Sequence, residues 1–487
     1  MNAGQFFGYS IYIVGAFLFA ISLIVSLGLM LHAGQAIRRE PLAWIFVLIL
    51  IPIAVEPLVS GRNLSGLGSA FEGEIEAYGS WQIVARVANA LAFALASERI
   101  VRQVFSRQVD AISGWSLYMA FMIFVVVNGI TNGLWGSVPQ LSLQPISMIV
   151  VSLAIIMIAP RHSERLVRFA KSAILWVLVL SVLVAAVKPG IVLQRGYSDG
   201  YLPIRFWGLG THANTLSPLI VCMLCCVWHQ PFNKKWLTWL AWGLGSASLL
   251  LTQSKTAIAA ATVVVAILAF YRYKYLLVTL GHSMASRTAL RVFLGLVILA
   301  SATILVLQLS LDLSKLYDKL LGTRFGGQIA TFSSRDLIWK IAYEAWIANP
   351  WFGYGPLIFE PKFRLMIGLS QAFHAHNQFM QSLSAAGITG VLGLAAFAML
   401  LGIYGWRAAP SSNGLSLALV SFIVMRSVTE VPLSIKGAIN GEFLFLLVTL
   451  VVCVAHQPLV AYRAVKMVRS RIVPYHPART LAPPPWQ

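Results

Sequence analysis

The sequence predicts an all-α polytopic membrane protein, with about 12–13 transmembrane helices and one large helical loop outside the bilayer. Three observations carry that prediction. Of 487 residues, 58% are hydrophobic. Only 11% are charged, against about 25% in soluble domains. The mean hydropathy is +0.78, and the apolar residues fall in runs long enough to cross a bilayer, which takes roughly 20 residues each. This composition excludes a soluble enzyme, a disordered chain and a small secreted scaffold. A net charge of +20 would suggest nucleic acid in a soluble protein. Here it marks loops facing anionic lipid, and no nucleic-acid partner is expected.

Taken in order, apolar spans are expected at 11–32, 42–59, 81–97, 114–133, 143–160, 172–188, 212–228, 237–252, 256–271, 292–311, 384–405, 415–432 and 441–456. Each must be helical, because only a helix closes its own backbone hydrogen bonds in lipid. The pair at 237–271 reads equally as two short helices or one broken hairpin. The N-terminus lacks a basic flank and a small-residue cleavage site, so the first run is expected to be a retained span. The organisation that follows is an N-terminal bundle over 1–311, a loop domain over 312–383, C-terminal spans over 384–456 and a basic tail over 457–487. Cys222, Cys225, Cys226 and Cys453 lie inside apolar runs and are expected to pack as small apolar residues.

Charge sets the orientation. One set of short loops and the tail hold 21 Lys and Arg, and the opposite short loops hold 6. The basic side is therefore expected to be cytoplasmic. The tail QPLVAYRAVKMVRSRIV has the pattern of a basic amphipathic helix lying on anionic lipids.

The other face carries the unusual residues. The stretch before 212–228 holds Arg205, His212 and Asn214 among aromatics, and Lys255 stands at the mouth of two apolar helices. In the long loop, LDLSKLYDKLL and SSRDLIWKIAYEAWIANP have helical patterns. Ser333 or Ser334 can cap the second, and Asn349-Pro350 ends it. His374, His376 and Asn377 follow just before the next span. Arg205, Lys255 and Arg335 lie on one side of the membrane with few carboxylates in the same segments, and cations at helix ends there need anionic partners. A ligand phosphate or diphosphate would satisfy them, and the alternative is snorkelling to lipid headgroups. His374-x-His376 has a metal-site spacing, with His212 as a third candidate ligand. The preferred reading is no metal, with a neutral imidazole taking a proton from a hydroxyl nucleophile. Arg426 and Glu430 are spaced as neighbours on one helix face, and a buried structural pair is favoured over an ion path.

The stretch HAHNQFMQSLSAAGITG resembles the O-antigen ligases and Wzy-type O-antigen and exopolysaccharide polymerases. Those proteins carry a His and a polar residue, nine residues, then G-x-x-G, after a large periplasmic loop. Here His376-Asn377 precedes nine residues and then Gly387-Ile388-Thr389-Gly390. RFWGLGTHANTLSP, TQSKTA and SSRDLIWKIAYEAWIANPWFGYG also resemble family elements, so the likeness covers about residues 190–405. Ala213 stands where the family commonly has Pro. The family usually has an even number of spans, whereas thirteen are counted here.

The resemblance implies a bacterial inner-membrane glycosyltransferase with its active face in the periplasm. It would be inverting and metal-independent, with no cofactor. The donor would be a glycan on undecaprenyl diphosphate, and the acceptor a sugar hydroxyl on lipid A-core or a growing glycan. His376 would be the base. Arg205, Lys255 and Arg335 would hold the diphosphate, with His374, Asn377 and Asn214 in supporting contacts. The alternatives are a secondary transporter and a non-catalytic polysaccharide assembly protein. Polar residues gather at one face rather than the midplane, and no internal repeat is apparent, which disfavours transport.

Overall fold

The computed structural model describes residues 43–66, 81–105, 114–142, 144–197, 202–282, 335–369 and 372–457. The expected spans at 11–32 and 292–311, the first loop helix, the Ser333/Ser334 cap and the basic tail lie outside the described residues.

Within them the chain is helical and apolar, as a multi-pass membrane protein requires. The helices are α1 (Ala43–Val59), α2 (Trp81–Phe105), α3 (Trp115–Trp135), α4 (Gln144–Val187), α5 (Ala213–His229) and α6 (Lys235–Leu251). They continue with α7 (Lys255–His282), α8 (Arg335–Ala348), α9 (Pro361–Met366), α10 (Gln378–Ala408), α11 (Leu415–Ser427) and α12 (Gly441–Ala455). Stretches of α3, α4, α7 and α10 are long and apolar enough to cross a membrane, and α1, α5, α11 and α12 are shorter helices of mainly apolar residues. The ambiguous pair at 237–271 forms two helices, α6 and α7, joined at Thr252–Ser254.

Three departures have physical causes. The spans expected at 143–160 and 172–188 are present as two apolar stretches, Gln144–Pro160 and His162–Val187, but the chain between them stays helical, with Pro160, which has no N–H to donate, inside one long helix. Lys171, which belongs to a basic loop by charge pattern, is buried and donates to the Gln230 and Pro231 carbonyls. Between α4 and α5 the chain forms an antiparallel ribbon, β1 (Leu193–Arg195) with β2 (Ile204–Phe206). Its residues are too few to give a strand pattern.

The helices share one large apolar core, and a second, smaller one forms around Ile338, Phe359 and Phe363. α12 packs on α4, α5 and α10, while α7 packs on α11 and α3 on α10. Cys222, Cys225, Cys226 and Cys453 are buried and unlinked within the large core.

The loop and the membrane bundle join at a break in α10. Gly387 has φ 63° and ψ −154° inside that helix, a backbone conformation open to glycine. The break frees backbone groups, and the loop takes them up. Tyr354 and Gly355 donate their N–H groups to the Ser384 and Ala385 carbonyls at 2.8 and 3.0 Å. Ile388 and Thr389 donate to the Pro350 and Trp351 carbonyls at 2.9 and 3.3 Å. A Cβ on Gly387 would lie 2.5 Å from the Pro350 carbonyl oxygen. The second glycine of the G-x-x-G element, Gly390, accepts from Asn128 Nδ2 at 3.0 Å. That bond ties α10 to a turn of π-helix within α3.

Candidate functional site

Four loop-and-helix junctions meet at one end of the bundle. The first is the turn into α5. Arg62 is buried and donates to three backbone carbonyls, Ile191 at 2.8 Å and Gly208 and Gly210 at 2.6 Å each. Burial pushes its guanidinium down to about 10, with Glu56 pulling the other way. It therefore remains a cation at neutral pH and holds the turn as one. His212 then caps α5, its Nδ1 accepting from the Asn214 N–H at 3.1 Å, with its ring edge-on to Trp207.

Asn214 links the second and third junctions. Its Oδ1 accepts from Arg205 at 3.0 Å, and its Nδ2 donates to Glu430 Oε1 at 3.0 Å. Arg205 is itself buried, donating to the Thr252 carbonyl at 3.0 Å and lying over the Tyr197 ring. Glu430 follows the end of α11 and is 3% exposed.

The fourth junction brings in the histidines. Trp339 of α8 donates to the Ala375 carbonyl at 2.8 Å. Asn377 caps α10 through Met380 N–H and also donates to the Val428 carbonyl, each at 3.0 Å. Gln378 accepts from Leu433 N–H at 2.9 Å. The segment 374–378 is thereby tied to the chain around Glu430. His374 Nε2 lies 3.5 Å and His376 Nδ1 3.6 Å from the same oxygen, Glu430 Oε2. The two rings are 4.1 Å apart, and His376 sits at φ 48°. Positive φ is uncommon for a residue with a side chain and points to a constrained position.

Protonation follows from the contacts. His374 Nδ1 accepts from the His376 N–H at 3.0 Å, so in the neutral ring the proton sits on Nε2, facing Glu430. Burial, and then His376, push the His374 imidazole well below its ordinary 6.5, with Glu430 acting in the opposite direction. It is therefore neutral at pH 7. Arg335, the first residue of α8, is close enough to add to that lowering.

The donor atoms of His374, His376 and Glu430 all lie within 4.8 Å of one another, a spacing compatible with a metal ion. His212 is not a member of that trio. The hydrogen bonding of His374 opposes ligation, because a ligating Nε2 must lose its proton while Nδ1 is already an acceptor. The arrangement fits instead a carboxylate that orients two imidazoles.

The cluster borders a cavity of about 680 Å³, walled by α1, α3, the turn into α5, the loop around Ile358 and the chain from Arg426 to Glu442. Of the residues singled out by sequence, His212, Asn214, His374, His376, Arg426 and Glu430 line it. Arg205 reaches it through Asn214. Lys255 is exposed at the start of α7, and Arg335 is half-buried at the start of α8; neither is among the described lining residues. Asn377 serves as a helix cap.

Sequence reasoning missed Glu430 as the hub of this network. It also expected Arg426 to pair with Glu430. Arg426 instead lies 3.7 Å from Glu442 and donates to the Asn214 carbonyl at 3.0 Å. Glu430 N–H still donates to the Arg426 carbonyl at 2.7 Å and the Arg426 charge acts on the Glu430 carboxyl, but their side chains take different partners. A carboxylate directly after an apolar run, followed by Val-Pro, was the available signal.

Residues 239–395 match the family model described as O-antigen ligase. The matched segment contains Lys255, Arg335, His374, His376 and Asn377, and the remaining site residues Arg205, Asn214 and Glu430 lie outside it. The comparison with curated proteins found no match. Over that segment, about a third of the chain, the protein is similar to the O-antigen ligases.

Proposed function

We propose, starting from that family match, that the protein moves a glycan from undecaprenyl diphosphate to a sugar hydroxyl, with inversion and without a metal. The acceptor is lipid A-core or a growing glycan, with the ligase-type acceptor preferred. The reaction takes place on the periplasmic face of the bacterial inner membrane. The observation that carries this reading is the His376–Glu430 pair on the wall of the cavity.

His376 Nδ1 is turned to a carboxylate, so that Nε2 is the ring nitrogen left for an acceptor hydroxyl, the arrangement that suits a general base. Nε2 takes the proton of the acceptor hydroxyl as its oxygen attacks the anomeric carbon. The bond from that carbon to the diphosphate oxygen breaks, and the electron pair leaves with the diphosphate. Glu430 balances the imidazolium that forms. Charge developing on the leaving group is met by Arg205, Arg335 and Lys255, cations that act as a divalent ion would. The neutral His374 ring packs against His376 and restricts its rotation.

Purified protein given a lipid-linked donor and a core or glycan acceptor tests the reading. Transfer that survives EDTA is the expected result. Movement of the lipid-linked glycan across the bilayer without a new glycosidic bond would replace it with transport. Glycan binding with neither bond formation nor movement would replace it with assembly.

A further inference from the structure

Asn214 is the second residue of α5, yet its side chain has no part in holding that helix. The cap is made by its neighbours. His212 Nδ1 accepts from the Asn214 N–H and Thr215 Oγ1 accepts from the His212 N–H, each at 3.1 Å. The Asn214 carbonyl accepts from Arg426 at 3.0 Å and from Ser217 Oγ at 3.3 Å. The backbone is thus fixed at both of its polar groups before the side chain makes any contact.

The amide itself reaches two distant segments. Oδ1 accepts from Arg205 Nη2 and Nδ2 donates to Glu430 Oε1, each at 3.0 Å. This polarity cannot reverse. A flipped amide would set N–H groups against a guanidinium that only donates, and an oxygen against a carboxylate that only accepts. The amide therefore stands between a buried cation and a buried anion, 4% and 3% exposed. A guanidinium and a carboxylate at such short range form a strong pair when they meet directly. In a direct pair Glu430 would turn to Arg205. With the amide between them Oε1 is occupied, and Oε2 faces both imidazoles, 3.5 Å from His374 and 3.6 Å from His376.

We propose that Asn214 is a positioning residue that keeps Arg205 and Glu430 from pairing and, by holding one oxygen of Glu430, aims the other at His376. In this role it acts through Glu430 and not on the substrate. The proposal rests on the transfer reading above, since the aim of Glu430 matters to the reaction only if His376 is the base.

The test exchanges the two side chains in the full-length protein in lipid nanodiscs, with turnover and melting temperature read together. Asn214→Asp keeps an acceptor for Arg205 and sets two carboxylates against each other. Its turnover should fall by about 10–100-fold, and its melting temperature should drop. Adding Glu430→Gln returns a donor and an acceptor to the same contact with their places exchanged. The melting temperature should then recover towards that of the wild type, while turnover stays at the level of Glu430→Gln alone, because an amide and not a carboxylate faces the imidazoles. Turnover restored by the exchange would make the contact merely structural and overturn the proposal, as would wild-type turnover in Asn214→Asp. Asn214→Leu carries the test if Asn214→Asp does not fold. It should lose about tenfold in turnover beside Glu430 and nothing further beside Glu430→Gln, since both changes then remove one shared effect. Losses that multiply would place Asn214 on the substrate and overturn the proposal. The wild-type assay separates the two claims. Wild-type protein that forms no glycosidic bond sinks the transfer reading and the positioning role with it. Transfer by the wild type with multiplying losses sinks the positioning role alone.

Discussion

The histidine–carboxylate cluster and the three cations expected to meet a diphosphate are built differently. The histidine–carboxylate group is over-determined. Trp339, Gln381, Asn377 and Gln378 each fix a backbone position between Ala375 and Leu433, and Asn214 fixes Glu430. The cationic group is graded. Arg205 is buried with two protein partners, Arg335 is half-buried and Lys255 is exposed. The difference matches two chemical tasks. A base must be held in one orientation relative to a hydroxyl, because a misplacement of about 1 Å can cost 100-fold. In the proposed reaction a lipid-carried diphosphate must enter and leave, which suits the more exposed Arg335 and Lys255, whereas Arg205 is held by its protein partners.

That contrast orders the expected effects. His376→Ala should abolish transfer at unchanged protein level, a loss of about 10²–10⁴-fold in rate; full activity in this variant would remove the residue from the mechanism. Glu430→Gln keeps the shape but gives up the charge that orients both rings. Its turnover should drop by up to about 100-fold with little change in donor KM, and a pure KM effect would assign Glu430 to binding instead. Arg205→Ala should raise donor KM and also loosen the fold, since two buried bonds go with it. Lys255→Ala should raise donor KM with no change in melting temperature, and Lys255→Arg should recover most of it. Equal loss in both Lys255 variants would argue against a simple charge role.

Acid should act on the histidine group first. The folded-state value of His374 lies below the unfolded 6.5, so the unfolded chain binds more protons and stability falls as pH drops below 6.5. One such group contributes under about 1.4 kcal/mol per pH unit. A melting series from pH 7.5 to 5 should show a slope that His374→Gln reduces. An unchanged slope would mean that another group dominates.

Most spans could be read from the sequence because apolar length decides them, and α1, α2, α3, α5, α10 and α12 lie where hydropathy places them. The join within α4 could not, because a basic run marks a loop by charge while helical hydrogen bonding passes through it. In the site, the histidines were legible from local spacing and Arg205 and Asn214 from their unusual company. Glu430 was not, because its importance comes from residues 216 and 54 positions away in the chain and no local pattern encodes that. The cap made by Asn377 was also legible, since the residue before an apolar helical run is where Asn commonly caps.

The break at Gly387 also bears on motion. Four amides, those of Tyr354, Gly355, Ile388 and Thr389, are locked across it in both directions. Lifting the stretch from Pro350 to Gly355 off the bundle would break all four bonds together. These amides should therefore exchange their hydrogens slowly and as one set, and substrate must come and go without peeling that stretch away.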